Sequence, residues 1–102
     1  MDVFPDPLSF EWDKGNLSKN LRKHDVAYQE AEEVFSNDPF IVTRDPRHSR
    51  PGERRYAALG KTKAGRRLFA AFIVRANKVR VISVRDMTQS EEDVYAQYEK
   101  NS

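Results

Sequence analysis

Glu53, Arg54, Arg80, Arg85 and His24 are the side chains whose types and placing could do chemistry in this 102-residue chain. One acid–base group beside two or three guanidinium groups suits cleavage of an RNA phosphodiester. That substrate brings its own nucleophile, the 2′-hydroxyl. The protein must take the hydroxyl proton, stabilise the negative charge that builds on phosphorus, and protonate the leaving 5′-oxygen. A positioned acid–base pair supplies about 10²–10⁴-fold. Arginines aimed at the phosphate supply electrostatic stabilisation of comparable or larger size. Arg80 and Arg85 are expected to hold the phosphate, with Arg54 assisting. Strict strand alternation sends Arg80 and Arg85 to opposite faces, so only a bulge or a strand end can bring them together. Glu53 ranks first for proton transfer. It is the only acid between residues 47 and 85, so neighbouring cations should keep it ionised, although the same cations weaken it as a base. His24 ranks second, because an imidazole titrates near neutral pH. A histidine closing a helix also serves simply to stabilise the helix dipole.

Other chemistries fit poorly. The chain has no cysteine, which excludes disulfides, thiolate metal sites and a cysteine nucleophile. Its two histidines, His24 and His48, belong to no dense ligand cluster, so no metal or other cofactor is expected. A Gly-rich phosphate loop and a supported serine triad are both missing from the sequence.

The net charge of +2 conceals a strong asymmetry. Residues 1–46 carry a net −5 and residues 86–102 a net −4, whereas residues 47–85 carry twelve basic side chains and one acid. Such a stretch suits a polyanion, because each neutralised phosphate releases counterions. Lys61, Lys63, Arg55, Arg66 and Arg67 are the expected RNA-binding residues within it. No apolar run approaches the ~20 residues of a membrane helix. The N-terminus lacks a basic region followed by an apolar stretch, so no secretory signal is read. The cytoplasm is the expected location.

The elements that must position these groups follow from periodicity. Residues 1–7 read as a flexible tail and residues 8–102 as one domain. Leu8–Trp12 is a short strand. Asp13 caps a helix reaching about Lys23, with Leu17 and Leu21 as its buried stripe and Asn16, Asn20 and His24 as a polar one. A second helix over Tyr28–Phe35 starts at Ala27, which offers no side-chain cap. Phe40–Thr43 is a strand, Arg44–Gly52 an exposed loop, and three strands follow: Glu53–Lys61, Arg67–Val74 and Val79–Asp86. The second is apolar on both faces, which suits the centre of a sheet. Thr88 and Glu91 form a capping box for a last helix whose apolar face is Val94, Tyr95 and Tyr98. The order β-α-α-β-β-β-β-α predicts an α+β fold with a mostly antiparallel sheet and helices packed on it.

Taken together in order, these residues resemble a known family. Phe10-Glu11-Trp12-Asp13, Asn16, Asn20 and Lys23-His24 are similar to the opening of BrnT-family toxins. Ala31, Val34-Phe35, Asp38, Asp45, His48-Ser49, Glu53-Arg54 and Gly60 continue the likeness. Arg80-Val81-Ile82-Ser83-Val84-Arg85 with Thr88, Glu91 and Tyr95 closes it, so it spans about residues 8–98. The resemblance implies a RelE-like fold, metal-independent endoribonuclease activity on RNA and a BrnA-type antitoxin partner. It also implies that operator DNA is bound only through the antitoxin complex. Ala27, Val84 and the acidic pair Glu92-Asp93 depart from the family pattern, the last lowering positive potential beside the site. Two other readings use the same residues: a nucleic-acid-binding module without chemistry, and a family member kept only as a protein-binding partner.

Overall fold

A strand that is apolar on both faces belongs at the centre of a sheet, and residues 67–75 lie there in the computed structural model, which describes residues 8–45, 51 and 53–101. The elements are β1 (Phe10–Glu11), α1 (Lys14–His24), α2 (Tyr28–Ser36), β2 (Ile41–Arg44), β3 (Arg55–Lys61), β4 (Arg67–Arg75), β5 (Lys78–Asp86) and α3 (Gln89–Lys100). The five strands run in the order β1-β5-β4-β3-β2. β2 to β5 are antiparallel neighbours, and only the two-residue β1 runs parallel to β5. The predicted α+β architecture with a mostly antiparallel sheet is therefore present, and the parallel β1 makes the sheet mixed. Residues 1–7 and, within the expected 44–52 loop, Pro46, His48, Ser49 and Gly52 lie outside the described residues.

One face of the sheet carries the core. Tyr56 and Ala58 of β3, Leu68, Ala70 and Phe72 of β4, and Val79, Val81 and Val84 of β5 pack with Val26 and with Ala31 and Val34 of α2. Phe72 meets Phe35 edge-on at 5.0 Å and stacks on Tyr56 at 5.4 Å. Such ring geometries add to the area they bury. A Cβ at Gly60 would come within 2.5 Å of Val34 Cγ1 and 3.3 Å of the Val34 carbonyl oxygen, so α2 sits on β3 at a distance only glycine permits. The β4–β5 hairpin closes on Ala76 and Asn77, both left-handed with φ of 52° and 61°. That pair of positive angles matches the twist of the flanking strands.

Three expectations need correction. The strand expected from Glu53 begins at Arg55, and Glu53 makes only an isolated bridge ahead of it. In α3 only Tyr95 is buried, donating from its hydroxyl to the Pro39 carbonyl at 2.6 Å, while Val94 and Tyr98 are about half exposed. In α1 the expected burial is reversed at Asn20 and Leu21, while Leu17, Asn16 and His24 are all half-buried. Asn20 is 2% exposed and Leu21 is 54% exposed. The cause is what α1 packs against. β1 pairs with β5 only at Val79 and Arg80, which leaves the rest of that β5 edge without a strand. Asn16 Nδ2 donates to Val81 O, Lys19 Nζ donates to Ile82 O, and Val84 N donates to Asn20 Oδ1 at 3.2 Å. A bare sheet edge needs hydrogen-bonding partners rather than apolar surface. The i, i+3, i+4 polar stripe supplies them.

Candidate nucleic-acid interface

The second face of the sheet is where the sequence-predicted arginines meet. β5 contains a bulge: Ala71 pairs with Ser83 but Phe72 pairs with Val81, which leaves Ile82 as the extra residue. The bulge reverses alternation along β5. Val79, Val81 and Val84 consequently all reach the core, and Arg80, Ser83 and Arg85 share the opposite face. The odd step from Val81 to Val84, three residues where two are usual, is the signal in the sequence that carried this information.

Cross-strand partners share a face, so the register defines three rows across the sheet. Arg55, Ile73 and Arg80 form one, extended by Glu11. Ile41, Leu59, Phe69 and Arg85 form another. Between them runs a row of small side chains, Thr43, Ala57, Ala71 and Ser83. A guanidinium flanks this row of small side chains on each side, Arg80 on one and Arg85 on the other.

Each arginine is held by carboxylates. Arg80 donates to Glu11 Oε1 at 2.9 Å and Asp13 Oδ2 at 3.1 Å. Arg85 donates to both oxygens of Glu91, at 2.8 and 3.0 Å, and its guanidinium lies 4.2 Å from the centre of the Phe69 ring. Glu91 in turn accepts from Thr88 N and closes the α3 capping box. A bidentate fork fixes the plane of a guanidinium as well as its position. The bond from Arg85 holds the Glu91 carboxyl below the usual range, and the bonds from Arg80 and Arg75 do the same to Glu11.

The basic stretch is less free than its charge suggests. Lys61, Arg66, Arg67, Arg75, Arg80 and Arg85 all pair with acids. Their partners come from the acidic blocks on either side in sequence. Arg66 knots the helices to the sheet, binding Asp86, Glu30 and the backbone carbonyls of His24 and Asp25. Lys61 and Arg67 both reach Glu99 of α3, and Arg67 also reaches Glu92. Lys63 is exposed, Arg55 is half-buried in the first row, and Arg54 is exposed just ahead of β3.

The proton-transfer candidates are placed differently from one another. Glu53 is half-buried, two residues before Arg55, at the Arg80 end of the sheet. His24 closes α1 beside Arg66 and Asp86, and the geometry does not group it with Arg80. Glu11, Asp13 and Ser83 belong to this neighbourhood and are not among the site residues expected from the sequence. Among the described residues no group of three or more His, Asp or Glu side chains is arranged to hold a metal ion. No described helix is long and apolar enough to cross a membrane.

The ion pairs dictate a pH dependence of folding. Glu11, Glu91 and Glu99 lie below the ordinary 4.5 and Asp86 below 3.8, in each case mainly through a hydrogen bond from Arg80, Arg85, Lys61 and Arg66 respectively. A lowered carboxylate contributes stability that is complete above its unfolded pKa and is lost as pH falls through the folded one. The urea midpoint is therefore expected to hold steady from neutral pH to about 5 and to drop below that. Glu91→Gln and Asp86→Asn should each shallow the drop. A midpoint indifferent to acid would contradict these pairings.

Comparisons with known proteins match both the sequence and the fold. Residues 12–91 match the family described as ribonuclease toxin, BrnT, of type II toxin–antitoxin system. The crystal structure of the Brucella abortus ribonuclease toxin BrnT is similar in fold, with a TM-score of 0.55 at 21% identity. The match covers 80% of this chain and 99% of that one. A comparison with curated protein sequences finds no match.

Proposed function

Because this chain belongs to the BrnT family of ribonuclease toxins of type II toxin–antitoxin systems, we propose that it is a metal-independent endoribonuclease acting through the 2′-hydroxyl of its substrate. The observation that supports this most is the Ile82 bulge, which sets Arg80 and Arg85 on one face along a row of small side chains. In this reading an RNA phosphodiester lies along Ala57, Ala71 and Ser83. The 2′-oxygen attacks phosphorus and the bond to the 5′-oxygen breaks, leaving a 2′,3′-cyclic phosphate and a free 5′-hydroxyl. Arg80 and Arg85 stabilise the added charge on the phosphate oxygens, exchanging part of their bonding to Glu11, Asp13 and Glu91 for it. Arg54 assists from the rim. Glu53 takes the 2′-hydroxyl proton, with His24 as the second choice, and the leaving 5′-oxygen takes its proton from water. Arg55, Lys61, Lys63, Arg66 and Arg67 contribute positive field along the strand.

The same reading makes the fold RelE-like and the cytoplasm its location. Its partner is a BrnA-type antitoxin that occludes the second face and carries the complex to operator DNA. The deciding experiment incubates purified protein with single-stranded RNA, with and without EDTA. Cleavage unaffected by the chelator, with cyclic phosphate ends, is the expected result. Intact RNA that is nonetheless bound would instead make the chain a binding module.

A further inference from the structure

Beside Arg85, the sheet and α3 enclose a groove that starts at Thr43 and Ala57 of the small-residue row and extends past it towards α3. Its floor is Leu59 and Phe69, one wall is Ile41 and Thr43 of β2, and the other is Val94 and Tyr98 of α3. Val94 and Tyr98 are 50% and 49% exposed. Large apolar side chains half-open to water beside a cleft need an occupant or cost solubility. The groove holds about 250 Å³, below the ~300–1,000 Å³ of clefts that take drug-sized ligands.

We infer that this groove binds one unpaired nucleobase, flanking the phosphate held at Arg85. The inference rests on the RNA-cleavage reading of the same face and adds to it a subsite that selects the base. Continuity carries the assignment. Arg85 lies over Phe69, a floor residue, and is bonded to Glu91, which lines the same groove. A phosphate brought to Arg85 therefore delivers its neighbouring nucleotide to the groove mouth. A base has apolar faces and a polar edge, and the groove matches both. Leu59, Ile41, Val94 and the Phe69 ring offer apolar contact. The Thr43 and Tyr98 hydroxyls and the Glu91 carboxylate, which has more acceptor sites than Arg85 uses, offer hydrogen bonds at its margins. Sequence-specific RNA recognition works in this way, through splayed single-stranded bases rather than the duplex groove.

The test uses methyl-labelled protein and single-stranded 2′-O-methyl oligonucleotides, which cannot be cleaved. Titration should shift the Ile41, Leu59 and Val94 methyl resonances. Removing one base, to leave an abasic position, should abolish those shifts and weaken binding about tenfold, the scale of one stacked base. Val94→Trp, which fills the groove from an exposed helix position, should weaken binding of the intact oligonucleotide equally. It should also flatten base preference at one position next to the cleaved bond. If the arginine side-chain resonances of Arg80 and Arg85 respond while the groove methyls stay unmoved, the base subsite is wrong and the cleavage face stands. If neither set responds, both readings fall. Groove methyls moved equally by the abasic strand would also overturn the base assignment.

Discussion

Arg85→Ala is expected to lower RNA cleavage by ~10²-fold or more while RNA binding falls by only a few-fold, and Arg80→Ala is expected to do the same. The magnitude is that of removing one preorganised donor from a developing oxyanion. Binding is affected less because the remaining cations of the face still meet the backbone, so the loss falls mainly on the transition state. The two arginines should differ in side effects. Arg85 is forked onto Glu91 and stacked on Phe69, so its loss also loosens the start of α3. Arg80 ties Glu11 and Asp13 to β5, so its loss removes the Asp13 ion pair and leaves Glu11 bonded to Arg75. Circular dichroism and a urea midpoint on each variant separate these effects from catalysis. Arg85→Lys keeps the charge but not the planar fork, and should recover only part of the rate. Glu53→Gln should lower the rate without weakening binding. Folded Arg80→Ala and Arg85→Ala proteins that both cleave at the parent rate would place the phosphate elsewhere.

How much of this is legible in the sequence depends on what each pattern encodes. The β4 strand was readable because an apolar run on both faces has only one stable home, the centre of a sheet. The caps Asp13 and Thr88 were readable because their bonds are local, to Gly15 N and Glu91 N. Pairing between distant charges was not readable. A block count finds the excess of cations between residues 47 and 85, but Lys61 meeting Glu99 or Arg80 meeting Glu11 depends on β-sheet register and helix placement. The common face of Arg80 and Arg85 was half-legible. Alternation forbids it, a bulge allows it, and the spacing of Val79, Val81 and Val84 reports the bulge once it is known that all three are buried. The site therefore depends on one extra residue in β5, whereas the fold survives without knowing of it.

The reversed face of α1 gives the sharpest contrast between reading a helix by hydrophobicity and reading it by its neighbour. If Leu21 were a core residue, Leu21→Ala would cost about 2–5 kcal/mol. In the structure Leu21 is 54% exposed, and the change is expected to fall within about 0.5 kcal/mol. Asn20, polar and by pattern expendable, should be the costly position. Its Oδ1 is the acceptor for Val84 N, a buried donor on the β5 edge that β1 does not reach. Asn20→Ala leaves that N–H unpaired away from water, a loss of about 1–3 kcal/mol. Asn20 Nδ2 is itself buried without a hydrogen-bond partner among the described residues, so deleting the amide removes one unsatisfied group as it creates another, and the lower half of that range is expected. Asn20→Asp restores the acceptor but adds a buried charge, so it should not rescue at neutral pH. Urea midpoints for Asn20→Ala and Leu21→Ala, measured side by side, decide the matter. A larger loss at Leu21 than at Asn20 would return α1 to an ordinary amphipathic helix and remove the explanation for how the β5 edge, and with it the arginine face, is held in place.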